Sequence, residues 1–289
     1  MMKRISALLL AVVMVFAMTA CGGKGKINPV WPGGQSSEDT ASDGGQQGQG
    51  GQNNSGSQQN SENSKSASAS YLDYKVATSM SINKFFVFNN SDMMQIQTDL
   101  VEMSLCETAL MVGQVFGSEL EIDPDVIDTE KYAASLLGSM AGLTDVSYNE
   151  VGAGKYILKF KDQSGVSFIC TGFYDAENDY MRSELISEEE TTAFTSEPCK
   201  LNVVAEYYKT DYGYVAQYYT LETKTRYLIT LSEGDNAMVG KEVDVPLPPM
   251  LTGGEAEDVP KSMPVWYAVE GKHITGVNDD GTAIDFERI

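Results

Sequence analysis

The stretch LNVVAEYYKTDYGYVAQYYTLETKTRYLITL, Leu201 to Leu231, decides the fold. It divides into three runs, Leu201 to Tyr208, Tyr212 to Leu221 and Thr225 to Leu231, each rich in β-branched and aromatic residues. Such residues suit a pleated, half-buried surface, and the breaks between the runs are short. Short breaks favour antiparallel neighbours, because a parallel crossover needs a dozen or more residues. Upstream, the two-residue period extends back to Val146, through Tyr156 to Phe160, Val166 to Tyr174 and Asp179 to Ile186. Gln163-Ser164-Gly165 and Asp175-Ala176-Glu177-Asn178 separate these runs as turns. Downstream, Val245 to Pro264 is rich in Pro and Gly and reads as irregular. Three short strands follow, Trp266 to Val269, Ile274 to Val277 and Ala283 to Phe286, with Asp279-Asp280-Gly281 as a turn.

The chain before Val146 has another period. Lys75 to Phe88 reads as a strand ending on Phe85, Phe86, Val87 and Phe88, and Asn89-Asn90-Ser91 breaks it. Ser91 to about Phe116 places Ile96, Leu100, Met103 and Leu110 at helical spacing, and Gly117 ends the run. Asp123-Pro124 opens a second helix, with Pro in its first turn, Tyr132, Leu136, Leu137 and Met140 as its apolar face, and Gly142 as its close. Helices followed by strands imply an α+β fold, with two N-terminal helices packed on a curved, mostly antiparallel β-meander sheet. At the level of architecture alone, this resembles the half-barrel carriers of lipids and lipoproteins in bacterial envelopes.

The first residues carry an address. Met-Met-Lys-Arg precedes a nearly continuous apolar run, Ile5 to Ala20, and then Cys21-Gly22-Gly23. A basic head and a short apolar core make a secretory signal, and the run is short for a membrane span. Met18-Thr19-Ala20-Cys21 resembles the lipobox of bacterial lipoproteins, with Met18 where leucine is usual. The resemblance covers residues 1–23 and implies cleavage before Cys21 and acylation of that cysteine, with palmitate among the chains. The alternative is an ordinary secretory signal followed by a chance cysteine. Acylation with two or more chains gives stable anchoring, which places the rest of the protein at the cell membrane on its extracytoplasmic face. Of the 38 residues from Gly33 to Ser70, 29 are Gly, Ser, Gln or Asn. Such a segment has little to bury and reads as a disordered spacer. The expected organisation is a signal peptide over 1–20, a lipidated cysteine and spacer over 21–70, and a folded domain over 71–289.

Charge narrows the function. The chain has 20 Lys and Arg against 41 Asp and Glu, a net charge of -21. That acidity argues against a nucleic-acid partner, because phosphate binding needs concentrated Lys and Arg. His273, the single histidine, excludes a multi-histidine metal site. Nothing in the sequence calls for a cofactor. With Cys21 acylated, Cys106, Cys170 and Cys199 remain; Cys106 and Cys170 read as buried thiols, and a Cys170–Cys199 bridge is the alternative. Ser81-Ile82-Asn83-Lys84 matches Ser-x-x-Lys, but extended chain would put the two side chains on opposite faces. The acidic groups Asp175/Glu177/Asp179, Glu188-Glu189-Glu190 and Asp279-Asp280 read as solvated turns lacking the rest of a calcium loop.

Tyrosine is the most distinctive signal: Tyr207, Tyr208, Tyr212, Tyr214, Tyr218, Tyr219 and Tyr227 fall within 21 residues. Strand alternation puts Tyr212, Tyr214 and Tyr218 on one face. If exposed, they form a recognition surface for a protein or glycan partner; otherwise they fill the sheet's buried faces. Met93, Met94, Met103 and Met111 likewise either line an adaptable apolar groove or pack the core. Three functions remain. The first is a membrane-anchored binding or accessory module. The second is a carrier with an apolar cavity between helices and sheet, and the third a carboxylate-dependent hydrolase.

Overall fold

A computed structural model describes residues 66–86, 93–114, 142–152, 154–191 and 198–288. The signal segment, Cys21 and the helix expected over 123–142 lie outside the described residues. The fold is α+β. Helix α1, Ala67–Ile82, runs into a 3-10 turn, Asn83–Phe85; helix α2, Met93–Glu107, runs into another, Thr108–Gln114. Eleven strands follow: β1 Thr144–Gly152, β2 Lys155–Lys161, β3 Ser167–Asp175, β4 Tyr180–Ser187, β5 Asn202–Lys209, β6 Gly213–Thr220, β7 Thr225–Ser232, β8 Asn236–Glu242, β9 Val265–Glu270, β10 His273–Val277 and β11 Ala283–Glu287. They form one sheet in the order of the sequence, every neighbouring pair antiparallel, with β1 and β11 at its edges. Among the described residues, no helix is long and apolar enough to cross a membrane.

Three expectations need correction. The segment from Lys75, read as a strand, belongs to α1. Its periodicity is hidden because the buried face is largely polar: Ser70, Lys75, Thr78 and Ser81 are buried beside Tyr71 and Tyr74, whereas Leu72, Val76 and Met80 face outward. Hydropathy therefore points the wrong way along this helix. The helix also starts inside the expected spacer. Ser66 caps it by accepting from the Ala69 amide at 3.2 Å, a favourable helix start, and Ala67 and Ser70 are already buried. Finally, β8 falls in a gap between expected strands. It pairs with β7 across a turn in which Gly234 (φ 77°) and Asp235 (φ 55°) are left-handed.

The central strands are buried on both sides, which explains why β5, β6 and β7 read as nearly continuous apolar runs. One face of β6 presents Tyr214, Ala216 and Tyr218 to the main core beneath the helices. On the other face, Val215 joins Tyr180, Leu228, Leu251 and Met263 in a smaller core. That second face is covered by the irregular segment 243–264, whose only regular part is a 3-10 turn at Val259–Ser262. The sequence placed irregular chain there, and its role is that of a cover over the sheet.

Candidate functional site

Two polar centres lie on opposite faces of the sheet. Under α1, tyrosine forms a layer. The Tyr74 and Tyr207 rings stack with centroids 4.3 Å apart, and Tyr214 meets both edge-on. The Tyr74 hydroxyl bonds the Tyr218 hydroxyl, and Ser70 Oγ bonds both Tyr207 Oη, at 2.8 Å, and the Asp179 carboxylate. A buried ion pair, Lys75 Nζ to Glu107 Oε1 at 2.8 Å, joins α1 to the end of α2. Further along, Asp99 of α2 accepts from Lys241 Nζ at 2.6 Å and from Tyr267 Oη at 2.7 Å, and Glu102 accepts from Tyr227 Oη at 2.8 Å. Burial raises the phenol pKa of Tyr74, Tyr207, Tyr218 and Tyr227, and nearby carboxylates add to it. Burial works against the Lys241 ammonium, but Asp99 and Glu102 outweigh it and hold its pKa above the ordinary value.

The other centre is Glu206, fully buried on β5. Its carboxylate accepts from Tyr180 Oη at 2.5 Å, pairs with Arg182 Nη1 at 3.0 Å, and accepts from Gln217 Nε2 at 2.7 Å and the Leu251 amide at 3.3 Å. Four donors converge on one carboxylate, which makes burial of its charge tolerable. The last of them belongs to the covering segment. Gln217 Nε2 also donates to Pro249 O at 2.9 Å, Tyr219 Oη to Val245 O at 2.9 Å, and Thr230 Oγ1 to Glu257 O at 2.7 Å. The face opposite the helices is therefore a row of side-chain donors aimed at the backbone of 243–264.

The expected tyrosine surface does not form. Tyr214 and Tyr218 are buried, 5% and 1% exposed, and lie in the main core under α1. Tyr212 is half-buried and packs in the opposite core. Gly213 separates it from Tyr214 with φ 147°, where a Cβ would stand 2.0 Å from Leu231 O; that backbone breaks the alternation on which a shared face depends. Of the methionines, Met103 is core, Met111 packs against it and Met94 is exposed, so they do not share one surface.

The remaining candidates are tied into structural contacts. Ser81 and Lys84 lie on the helical segment rather than in a strand, but Lys84 Nζ donates to Gly234 O and Asp235 O, both at 2.8 Å. His273 pairs with Asp285 at 2.6 Å across β10 and β11, and that hydrogen bond raises its pKa. Cys106 and Cys170 are buried free thiols, so the Cys170–Cys199 bridge is not made; burial, with the Glu102 charge, pushes the Cys106 thiol up to about 12. Asp175 caps its own turn by accepting from the Glu177 amide. Among the described residues, no group of three His, Cys, Asp or Glu side chains is placed to hold a metal ion. Sequence reading missed Glu206 and Asp99. The available signal was a lone acid inside an apolar strand, and an acid between Ile96 and Leu100 on an apolar helix face. No family model, curated protein or solved structure matches this chain.

Proposed function

We propose that the protein is a lipid-anchored lipoprotein whose folded part works on the extracytoplasmic face of a membrane as a binding or accessory module. The observation that carries this is Met18-Thr19-Ala20-Cys21 at the end of the apolar run Ile5 to Ala20, with Gly22-Gly23 directly after it. The 43 residues from Lys24 to Ser66 stand between Cys21-Gly22-Gly23 and the start of α1 in the sequence. The start of α1 at Ala67 supports a tether that joins the fold at its helical side.

A binding role is favoured over hydrolysis because Glu206 and Asp99 each spend their carboxylate on several donors of their own chain. The carrier alternative draws support from helices lying over a sheet. Against it, the Tyr74–Tyr207 stack and the Ser70 hydrogen bonds occupy that interface. Anchoring is tested by metabolic labelling with a fatty-acid probe. Wild-type protein is expected to be labelled and membrane-bound, and Cys21→Ser to carry no label. Equal label on both would reject the anchor.

A further inference from the structure

The covering segment holds a feature that its role as a cover leaves unused. Val245-Pro246-Leu247-Pro248-Pro249-Met250 contains three prolines in four positions, a Pro-x-x-Pro pattern. Proline fixes its own φ at about -65° and pushes the preceding residue toward extended backbone. Every residue from Val245 to Pro249 is constrained in one or both of these ways, a pattern that favours left-handed polyproline II backbone along the ridge. The ridge is fastened at both ends from beneath, by Tyr219 Oη on Val245 O and Gln217 Nε2 on Pro249 O, each at 2.9 Å, with the Leu251 amide locked on Glu206. Gln217 is itself held, since its Oε1 accepts from Arg226 Nε at 2.7 Å.

Its outer side is apolar and open. Leu247 and Met250 are 51% and 60% exposed, and Pro246 and Pro249 are exposed with them. A core has no use for these side chains. A polyproline ridge with projecting apolar groups is the shape that aromatic-lined grooves accept, and a ridge already rigid loses little entropy on binding. The chain on either side of it is acidic, with Asp244 before it and Glu257 and Asp258 after it, all exposed, and the exposed Lys224 adjoins it by accepting the Val245 amide at its carbonyl.

We propose that Val245 to Met250 is a docking ridge for a second protein that presents an aromatic-lined groove with a basic rim. This deepens the binding-module reading and rests on it. The test places a photo-reactive residue at Met250 of the full-length, membrane-tethered protein, and separately at Leu72 on the helix side. Adducts are mapped by mass spectrometry, and a synthetic peptide of residues 243–251 serves as competitor. The expected result is an adduct from position 250 to an aromatic-lined groove of another protein. It falls at least tenfold with excess peptide, and equally with Pro246→Ser/Leu247→Ser in a domain that melts like wild type. If that variant fails to fold, peptide competition alone decides. No adduct from position 250, an adduct to lipid or to a second copy of this chain, or one the peptide does not displace would overturn the ridge. A protein adduct from Leu72 alone would overturn it and leave the binding-module reading standing; silence at both positions would remove both.

Discussion

Glu206 shows how a single side chain sets the architecture around it. A carboxylate at the centre of β5 would be unfavourable there without partners, and its four donors come from β4, from β6 and from the covering segment. Removing it strands the Arg182 guanidinium and frees the Leu251 amide. Glu206→Ala is expected to cost about 3 kcal/mol of unfolding free energy, measured by urea titration. Glu206→Gln, which keeps the shape, is expected to cost less. Equal stability of Glu206→Ala and wild type would show that the covering segment is held without Glu206, by its other hydrogen bonds and apolar packing. The tyrosines on the other face make stability depend on pH. Tyr74, Tyr207, Tyr218 and Tyr227 have phenol pKa values raised above the ordinary 10.0 in the folded chain. The fold favours the protonated phenol, so this stabilisation is complete below the unfolded-state value and is lost as pH climbs past it. Above about pH 10 the protein is expected to unfold cooperatively, with the tyrosinate absorbance of these residues appearing in the same step as loss of circular dichroism. Tyrosinate formation in full before unfolding would contradict a buried layer.

At the scale of elements, α1 is riveted to the sheet. Its contacts reach the middle of the sheet through Tyr207 and Tyr218 and the second helix through Glu107, and the 3-10 turn that continues it reaches the β7–β8 turn through Lys84. A chain beginning at Ser64 keeps the Ser66 cap and Ala67, whereas one beginning at Tyr71 loses the cap, Ala67 and the Ser70 bridge to Tyr207 and Asp179. Loss of an N-cap alone costs about 1 kcal/mol. The shorter chain is therefore expected to melt several degrees lower, read by differential scanning calorimetry; identical melting would place the folding boundary at Tyr71. This helix is also where sequence reading failed. Strands were legible because alternation in β2 and β3 reports a real division between faces, and β5 to β7 are short β-branched and aromatic runs bounded by turns. In α1 the division is inverted: Ser70, Thr78 and Lys75 find hydrogen-bond or ion-pair partners on the buried face, while the apolar residues Leu72, Val76 and Met80 stand outside. A hydropathy pattern detects apolar burial and is blind to polar groups buried in pairs. The tyrosine face failed for a related reason, since strand alternation assigns a side but not what covers it. Tyr214 and Tyr218 lie under a helix that the same hydropathy signal had hidden.

The molecule as a whole carries a charge that its interior does not explain. Residues 71–289 hold 15 Lys and Arg against 37 Asp and Glu, and they net -22. Acids outnumber bases there by more than two to one, so at low ionic strength they repel one another in the compact state more than in the expanded chain. The buried pairs, Lys75–Glu107 and Lys241–Asp99, pull the other way, but solvent ions screen them weakly because little of either pair reaches water. Salt therefore acts mainly on the repulsion. Raising sodium chloride from 0.01 M to 0.15 M shortens the screening length from about 30 Å to about 8 Å, which is below the span of a domain this size. The melting temperature is expected to rise by several degrees over that range and then level off. The same increment should be smaller in a variant that replaces the exposed acids Asp244, Glu257 and Asp258 with their amides. A melting temperature that falls with salt would mean that surface attraction, including Lys161–Asp145 and His273–Asp285, outweighs the repulsion. In that case the acidity would lie in the field the molecule presents to basic partners rather than in its folding energy.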